Sequence, residues 1–290
     1  GNDMKTLRIG TRKSQLSRKQ TDMATEALKK AHPELDVEIV PFQTRGDKIL
    51  DKPLWELSNK GKGVFASEFE EMIWKDEIDI AIHSGKDLPV FLAEGLEIIG
   101  VLKRDDPRDV LVMPKGRTVE EVRTIGTGSL RRQQCAAEIF PWAECKLIRG
   151  NIQTRLQKLM NGCFDAIILA KAGLDRLGIT EEDGYTFRIL SPEEFLPAAC
   201  QGIIVAEGKP ELAEFVGKMI DEETRYLFET EREVLMQLNA DCSEPAAAFA
   251  ELQGEHIRLR VMYGKKSAEG TAPVADRLKL AAELARGIQE

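Results

Sequence analysis

The chain has 290 residues, a net charge of −8 and a pI near 5.3, so attraction to nucleic-acid phosphate would have to come from a local patch alone. Its length suits two or three domains with real cores, and no apolar run approaches the roughly 20 residues that span a bilayer. The five cysteines (Cys135, Cys145, Cys163, Cys200 and Cys242) form no CxxC pair and are odd in number, which argues against a zinc site and a disulfide framework.

In chain order, TLRIGT (6–11) reads as a strand leading into a helix from Ser14, with Leu16, Met23, Ala24, Ala27, Leu28 and Ala31 at helical spacing. Met4-Lys5 runs straight into this strand and not into an apolar leader, so a cytoplasmic protein is expected. DVEIVPF (36–42) is the second strand. Residues 46–63 carry Lys48, Lys52, Lys60 and Lys62 with three glycines and a proline, and read as a mobile basic lid. DIAIH (79–83) and LEIIGVL (96–102) follow as strands, and RDDPRD (104–109) as a charged crossover. Then TIGTG (124–128), CKLIRG (145–150) and DAIILA (165–170) repeat the strand-to-helix theme as far as a break at EGKP (207–210).

This alternation predicts α/β layers with mostly parallel strands. An internal echo supports two similar lobes: LRIGTRKSQ (7–15) resembles TIGTGSLRRQ (124–133), and DIAIHSGKDLP (79–89) resembles DAIILAKAGLDRL (165–177). Open sheets of this kind bind ligands at the carboxyl ends of their strands, where these polar turns fall. The tail predicts a charged amphipathic helix over 221–238, strands near 246–252 and 256–264, and a last helix near 276–287, together a small α+β domain.

Four arginines carry the first functional signal. Arg131, Arg132, Arg149 and Arg155 lie in or beside the first turns of two predicted helices, where a cation forgoes about 0.3–1 kcal/mol against the helix dipole. Guanidinium forks beside free helix N–H groups make an anion trap, here for a ligand with several carboxylates or phosphates. There is no HExxH, GxSxG or Walker loop to indicate metal, serine-hydrolase or NTPase chemistry.

TRKS (11–14), TRGD (44–47), KGKGVF (60–65), HSGKDLP (83–89), GTGSLRRQ (126–133), RGNIQTRL (149–156), LPAACQG (196–202) and ADCSEP (240–245), in this order, resemble the porphobilinogen deaminase (hydroxymethylbilane synthase) family from about residue 7 to about residue 250. The resemblance implies two periplasmic-binding-protein-like, doubly wound α/β lobes plus the small α+β domain. The expected boundaries are 4–104 with 200–220, then 105–199, then 221–290. It implies a dipyrromethane cofactor joined by a thioether to Cys242. On this primer four porphobilinogens condense head to tail, each losing ammonia, and hydrolysis releases a linear tetrapyrrole. A monomer is implied, with no nucleic-acid or membrane partner.

By motif, the resemblance makes Asp87 the catalytic carboxylate. Ser14, Lys86, Thr127, Ser129, Arg131 and Arg132 then bind the cofactor, and Arg12, Arg149, Arg155, Arg176, Lys62 and Gln201 the substrate and growing chain. Loss of ammonia leaves a methylene-pyrrolenine cation, which a positioned carboxylate stabilises while it gives or takes a proton. Without the resemblance, Asp87 reads first as a helix cap or an ion-pair partner of Lys86, and Cys242 as a buried small residue or an inert thiol in a turn.

The chain departs from the family pattern in several places. Ala240-Asp241 stands where Gly-Gly usually precedes the attachment cysteine, Gly128 replaces a serine, and Lys60 replaces a lid glycine. Gly85 replaces a larger apolar residue, which implies a roomier cofactor pocket. Cys200 replaces a glycine, which implies a second thiol near the cleft. A non-catalytic two-lobed polyanion-binding or sensor protein is the rival reading; such proteins are usually exported or fused to a DNA-binding module, signs of which this sequence does not carry.

Overall fold

The computed structural model describes residues 5–41, 67–238 and 244–290. Strand β1 (Thr6–Thr11) opens the first sheet, and Ser14 caps helix α1 (Gln15–Ala31) by accepting the Ser17 N–H. Next come β2 (Asp36–Pro41), α2 (Glu68–Trp74), β3 (Ile80–Ser84) and β4 (Glu97–Val101). The second sheet takes β5 (Asp109–Pro114), β6 (Thr124–Gly126), β7 (Glu144–Lys146), β8 (Ala166–Ala170) and β9 (Tyr185–Leu190). Helices α3 (Leu130–Ile139), α4 (Ile152–Met160) and α5 (Lys171–Arg176) follow β6, β7 and β8.

Strand β10 (Ile204–Gly208) then returns to the first sheet, whose order is β2-β1-β3-β10-β4; the second runs β7-β6-β8-β5-β9. The two orders superimpose. β6 holds the place of β1, β8 that of β3, and β5 that of β10, so the sequence echo marks equivalent strands. The expected mostly parallel sheets are instead mixed: β10 runs antiparallel to β3 and β4, and β5 antiparallel to β8 and β9. These two strands enter their sheets directly from the inter-lobe crossovers, without the helix that a parallel connection needs.

β5 is buried on both faces. Val110 and Val112 pack with Ile167 and Leu169 on one side, and Leu111 and Met113 with Ile125 and Ile168 on the other. In the first lobe Leu7, Ile9, Leu28, Ile80, Ile82 and Ile204 share one core. After the short α6 (Ala213–Gly217), helix α7 (Glu222–Leu238) leads to the meander β11 (Ala246–Gln253), β12 (His256–Tyr263) and β13 (Lys266–Pro273), closed by α8 (Arg277–Gln289). Val234, Leu238, Leu259, Val261 and Ala285 hold both helices against this third sheet. Among the described residues no helix is long and apolar enough to cross a membrane.

One fully buried carboxylate ties the parts together. Glu231 of α7 accepts Arg104 Nη1 at 2.7 Å and Nη2 at 3.0 Å from the outgoing crossover, the Cys200 N–H at 2.6 Å from the returning one, and the Ala250 N–H at 2.8 Å from β11. Gly202, also on the returning crossover, has φ +85°, and a Cβ there would meet Asp105 O at 2.8 Å, so no other residue fits without movement.

Candidate active site

The polar turns converge at the carboxyl ends of β1, β3, β6 and β7. Arg12 follows β1; it is exposed, and its guanidinium lies 5.9 Å from the Phe69 ring centre. Ser84 ends β3, and the chain tightens into a 3-10 turn, Gly85–Asp87, anchored where the Gly85 N–H meets Ile203 O at 2.7 Å. That turn leaves Asp87 exposed and Lys86 half-buried. Across the cleft Ser129 caps α3 by accepting the Arg132 N–H, and Thr127 Oγ1 accepts the Ser129 N–H at 3.2 Å. At the rim Gln153 Nε2 donates to Gln15 Oε1 at 2.8 Å, joining the lips of the two lobes.

The centre of this surface is a residue the sequence reading passed over. Asp109, the last residue of RDDPRD and the first of β5, is fully buried. It receives Arg131 Nη1 at 2.7 Å, Arg132 Nε at 3.1 Å and Nη2 at 2.9 Å, and Gln201 Nε2 at 3.2 Å. Burial alone would raise its pKa, but Arg131 and Arg132 outweigh burial and hold it at about 2. Burial, reinforced by Arg132, pushes the nearby Lys86 ammonium down to about 8. The signal for Asp109 was available: an acid opening the apolar run VLVM must be buried, and a buried acid needs partners.

The structure therefore places the expected residues unequally. Arg131 and Arg132 are 5% and 8% exposed and turn inward onto Asp109; Arg131 also reaches Leu196 O, and Arg132 reaches Ile168 O. Arg149 is exposed, and Arg155, whose Nε holds Gly150 O at 2.7 Å, is close enough to act electrostatically on Arg132. Gln201 reaches Pro107 O and Asp109 and so braces the arginine pair. Arg176 is buried against Asp105 and Gly202 O beside a cavity of about 570 Å³ between α1 and α5. Cys242 and the lid residues, Lys62 among them, lie outside the described residues.

Two expectations about the departures are corrected. No roomier pocket forms at Gly85, because a Cβ there would lie 3.0 Å from Cys200 Cβ. Cys200 offers no accessible thiol: it is fully buried, and burial followed by Glu231 pushes its pKa far up. Of the other described cysteines, Cys135 is buried, Cys145 half-buried and Cys163 exposed. A Cβ at Gly128 would meet Ile148 O at 3.1 Å, so the serine expected there would need the turn to give slightly.

Chemically, Arg12, Lys86, Arg131, Arg132, Arg149 and Arg155 outnumber Asp87 and Asp109 three to one, on turns that face one another. Such an excess of cations suits a small organic polyanion. The molecule is thus a two-lobed α/β protein with a cationic cleft and an appended α+β domain. The chain belongs to the porphobilinogen deaminase family: residues 7–215 match the family described as porphobilinogen deaminase, dipyromethane cofactor binding domain. A porphobilinogen deaminase of Ruminiclostridium josui is 41% identical over 261 residues, covering 90% of this chain and 87% of that protein. One from Stenotrophomonas maltophilia is 38% identical over 295 residues, 98% of this chain and 96% of that protein. Among solved structures, the BvgS VFT2 domain of Bordetella pertussis is 13% identical, with a TM-score of 0.46 over 77% of this chain and 92% of that one. The family match and the two deaminase relatives do not favour the non-catalytic rival.

Proposed function

We propose that this chain condenses four porphobilinogens head to tail, with loss of ammonia, onto a dipyrromethane primer and releases hydroxymethylbilane by hydrolysis. The observation that carries this reading is one exposed carboxylate, Asp87, on a tight turn beside a cationic cradle built on Asp109. The primer is tethered by a thioether to Cys242, and the protein works as a cytoplasmic monomer. The lobes divide at residues 104 and 200, with 221–290 as the domain that presents the cysteine.

Lys86, Arg131 and Arg132, with the hydroxyls of Ser14, Thr127 and Ser129, hold the primer; when bound, it supplies the nucleophilic pyrrole carbon. Arg12, Arg149 and Arg155 orient the acetate and propionate groups of incoming substrate. Arg176 and Gln201 act from the hinge, where their contacts with Asp105 and Asp109 fix the lobes' approach. Asp87 accepts a pyrrole N–H, stabilises the cation formed as ammonia leaves, and holds or returns the proton at its carboxylate oxygen.

Intact mass spectrometry tests the proposal. Protein made in cells should weigh two pyrrole units more than its polypeptide, and porphobilinogen should add further single-pyrrole steps. A bare polypeptide mass that porphobilinogen leaves unchanged would defeat it.

A further inference from the structure

Outside the cationic cleft, a cavity of about 400 Å³ opens between the first lobe and the third domain. Phe91 and Leu92, from the segment after the Asp87 turn, form one wall with Ile98 of β4. Phe228 and Met236, on one face of α7, and Leu278, in the first turn of α8, form the other. Phe91 and Leu278 are 55% and 42% exposed, so the cavity meets solvent along apolar side chains. Its lining cation among the described residues is Arg232, which sits between Phe228 and Met236 at helical spacing and is 7% exposed. Arg232 Nη2 donates to Val90 O at 2.9 Å, whereas Nη1 is buried and meets no acceptor among the described residues. We propose that this cavity binds a small monocarboxylic acid with an apolar body, its carboxylate on Arg232 and its body against Phe91, Phe228 and Leu278.

A buried guanidinium is costly unless it is paired and hydrogen-bonded. Glu207 attracts Arg232 through space but makes no hydrogen bond with it. Of the two carboxylates in the lining, Glu229 is held by Arg225 Nη1 at 2.9 Å and Arg277 Nη2 at 3.1 Å. The other, Glu233, accepts Gln237 Nε2 at 2.8 Å. The unused donor of Arg232 therefore selects an anion, for which a guanidinium fork suits a carboxylate. The apolar walls select a body without further charge, and a second carboxylate would lie against those walls or near Glu233. That sets this site apart from the polyanion-binding cleft. Leu92 and Ile98 pack on the cluster that holds Leu88, next in the chain to Asp87, together with Phe228. An occupant thus braces the first lobe, close behind Asp87, against the helix that leads toward Cys242.

This site stands apart from the reaction, and calorimetric titration of cofactor-loaded protein tests it. Decanoate and 4-phenylbutanoate, kept below their aggregation range, present an aliphatic and an aromatic body, and at least one should bind saturably at a single site. Decanol has the body without the charge, and acetate the charge without the body. Both should bind at least about ten-fold more weakly, and Arg232→Met should weaken the acid by a similar factor. Phe91→Ser changes an exposed side chain, leaves the fold alone, and should weaken the acid several-fold through the lost apolar wall. Excess porphobilinogen should leave the titration unchanged. Displacement by porphobilinogen, or binding lost in Arg149→Leu but kept in Arg232→Met, assigns the acid to the cleft and overturns the proposal. Decanol bound as tightly as decanoate marks an unselective apolar patch and overturns it too, as does failure of both acids to bind.

Discussion

A Cβ built on Gly85 would lie 3.0 Å from the Cβ of Cys200, so these residues, 115 positions apart, compete for one space. Cys200 also holds a left-handed backbone (φ 66°), which costs a non-glycine residue about 1–3 kcal/mol. The two departures from the family pattern at these positions are one exchange of volume. Gly85→Ala should destabilise by about 1–3 kcal/mol through overpacking. In a Cys200→Gly background the loss should shrink, giving a coupling of about 0.5–3 kcal/mol in a urea-unfolding double-mutant cycle. Strictly additive costs would show that the two sites are independent.

Asp109 is the next test. Asp109→Asn leaves Arg131 and Arg132 buried without their counter-ion, and should cost about 3–5 kcal/mol. A carboxylate ligand can take over part of that role. The melting temperature of cofactor-free protein should therefore fall further than that of loaded protein, and a uniform fall would argue against a shared anion site.

The same residue predicts an acid limb. Its pKa is depressed from 3.8 to about 2. Its contribution, about 2 kcal/mol by linkage, is therefore fully present above pH 4 and is lost as pH falls through about 2. Acid unfolding of wild type should steepen across that window, and the Asn variant should lack this component.

Lys86 sets a limit at the other end. With its pKa lowered to about 8, it loses charge as pH rises through that value. Cofactor loading from porphobilinogen should slow above pH 8 in wild type, and Lys86→Arg, which stays charged, should load on to higher pH. Parallel pH profiles for the two proteins would remove Lys86 from cofactor binding.

For Asp87, Asn keeps shape and removes charge. A cation that exists only along the reaction path predicts a loss in kcat of about 10²–10⁴-fold with cofactor still in place. A cap or packing role predicts a lower melting temperature with turnover intact. Single-turnover rates on mass-verified, cofactor-loaded variant decide between the two.

Much of the fold was legible because periodicity and turn chemistry agreed. The paired echoes mark β1 with β6 and β3 with β8, and alternation in AAAFAEL and HIRLRVMYG gave β11 and β12. What stayed hidden had physical causes. Strand β13, KSAEGTAP, is an edge whose inward positions hold only Ala268, Gly270 and Ala272, with no large apolar or aromatic residue to mark it. Strands β5 and β10 follow charged or glycine-bearing crossovers, and their apolar runs follow no helix signal. The arginines were visible as an anion site, but their inward turn was not, because Asp109 had been read as part of a linker. Glu70, Glu207 and Glu231 lie in ordinary helix and strand patterns, where one acid looks solvated until tertiary packing buries it.

The late return of β10 to the first sheet also sets an order of assembly on the ribosome. Residues 109–190 contain every strand of the second sheet, whereas the first lacks the strand between β3 and β4 until residues 204–208 emerge. The later-synthesised lobe can close first, while the N-terminal one waits with an open seam along β3 and β4. During that interval its unpaired strand edges are the part of the nascent chain most in need of protection from aggregation.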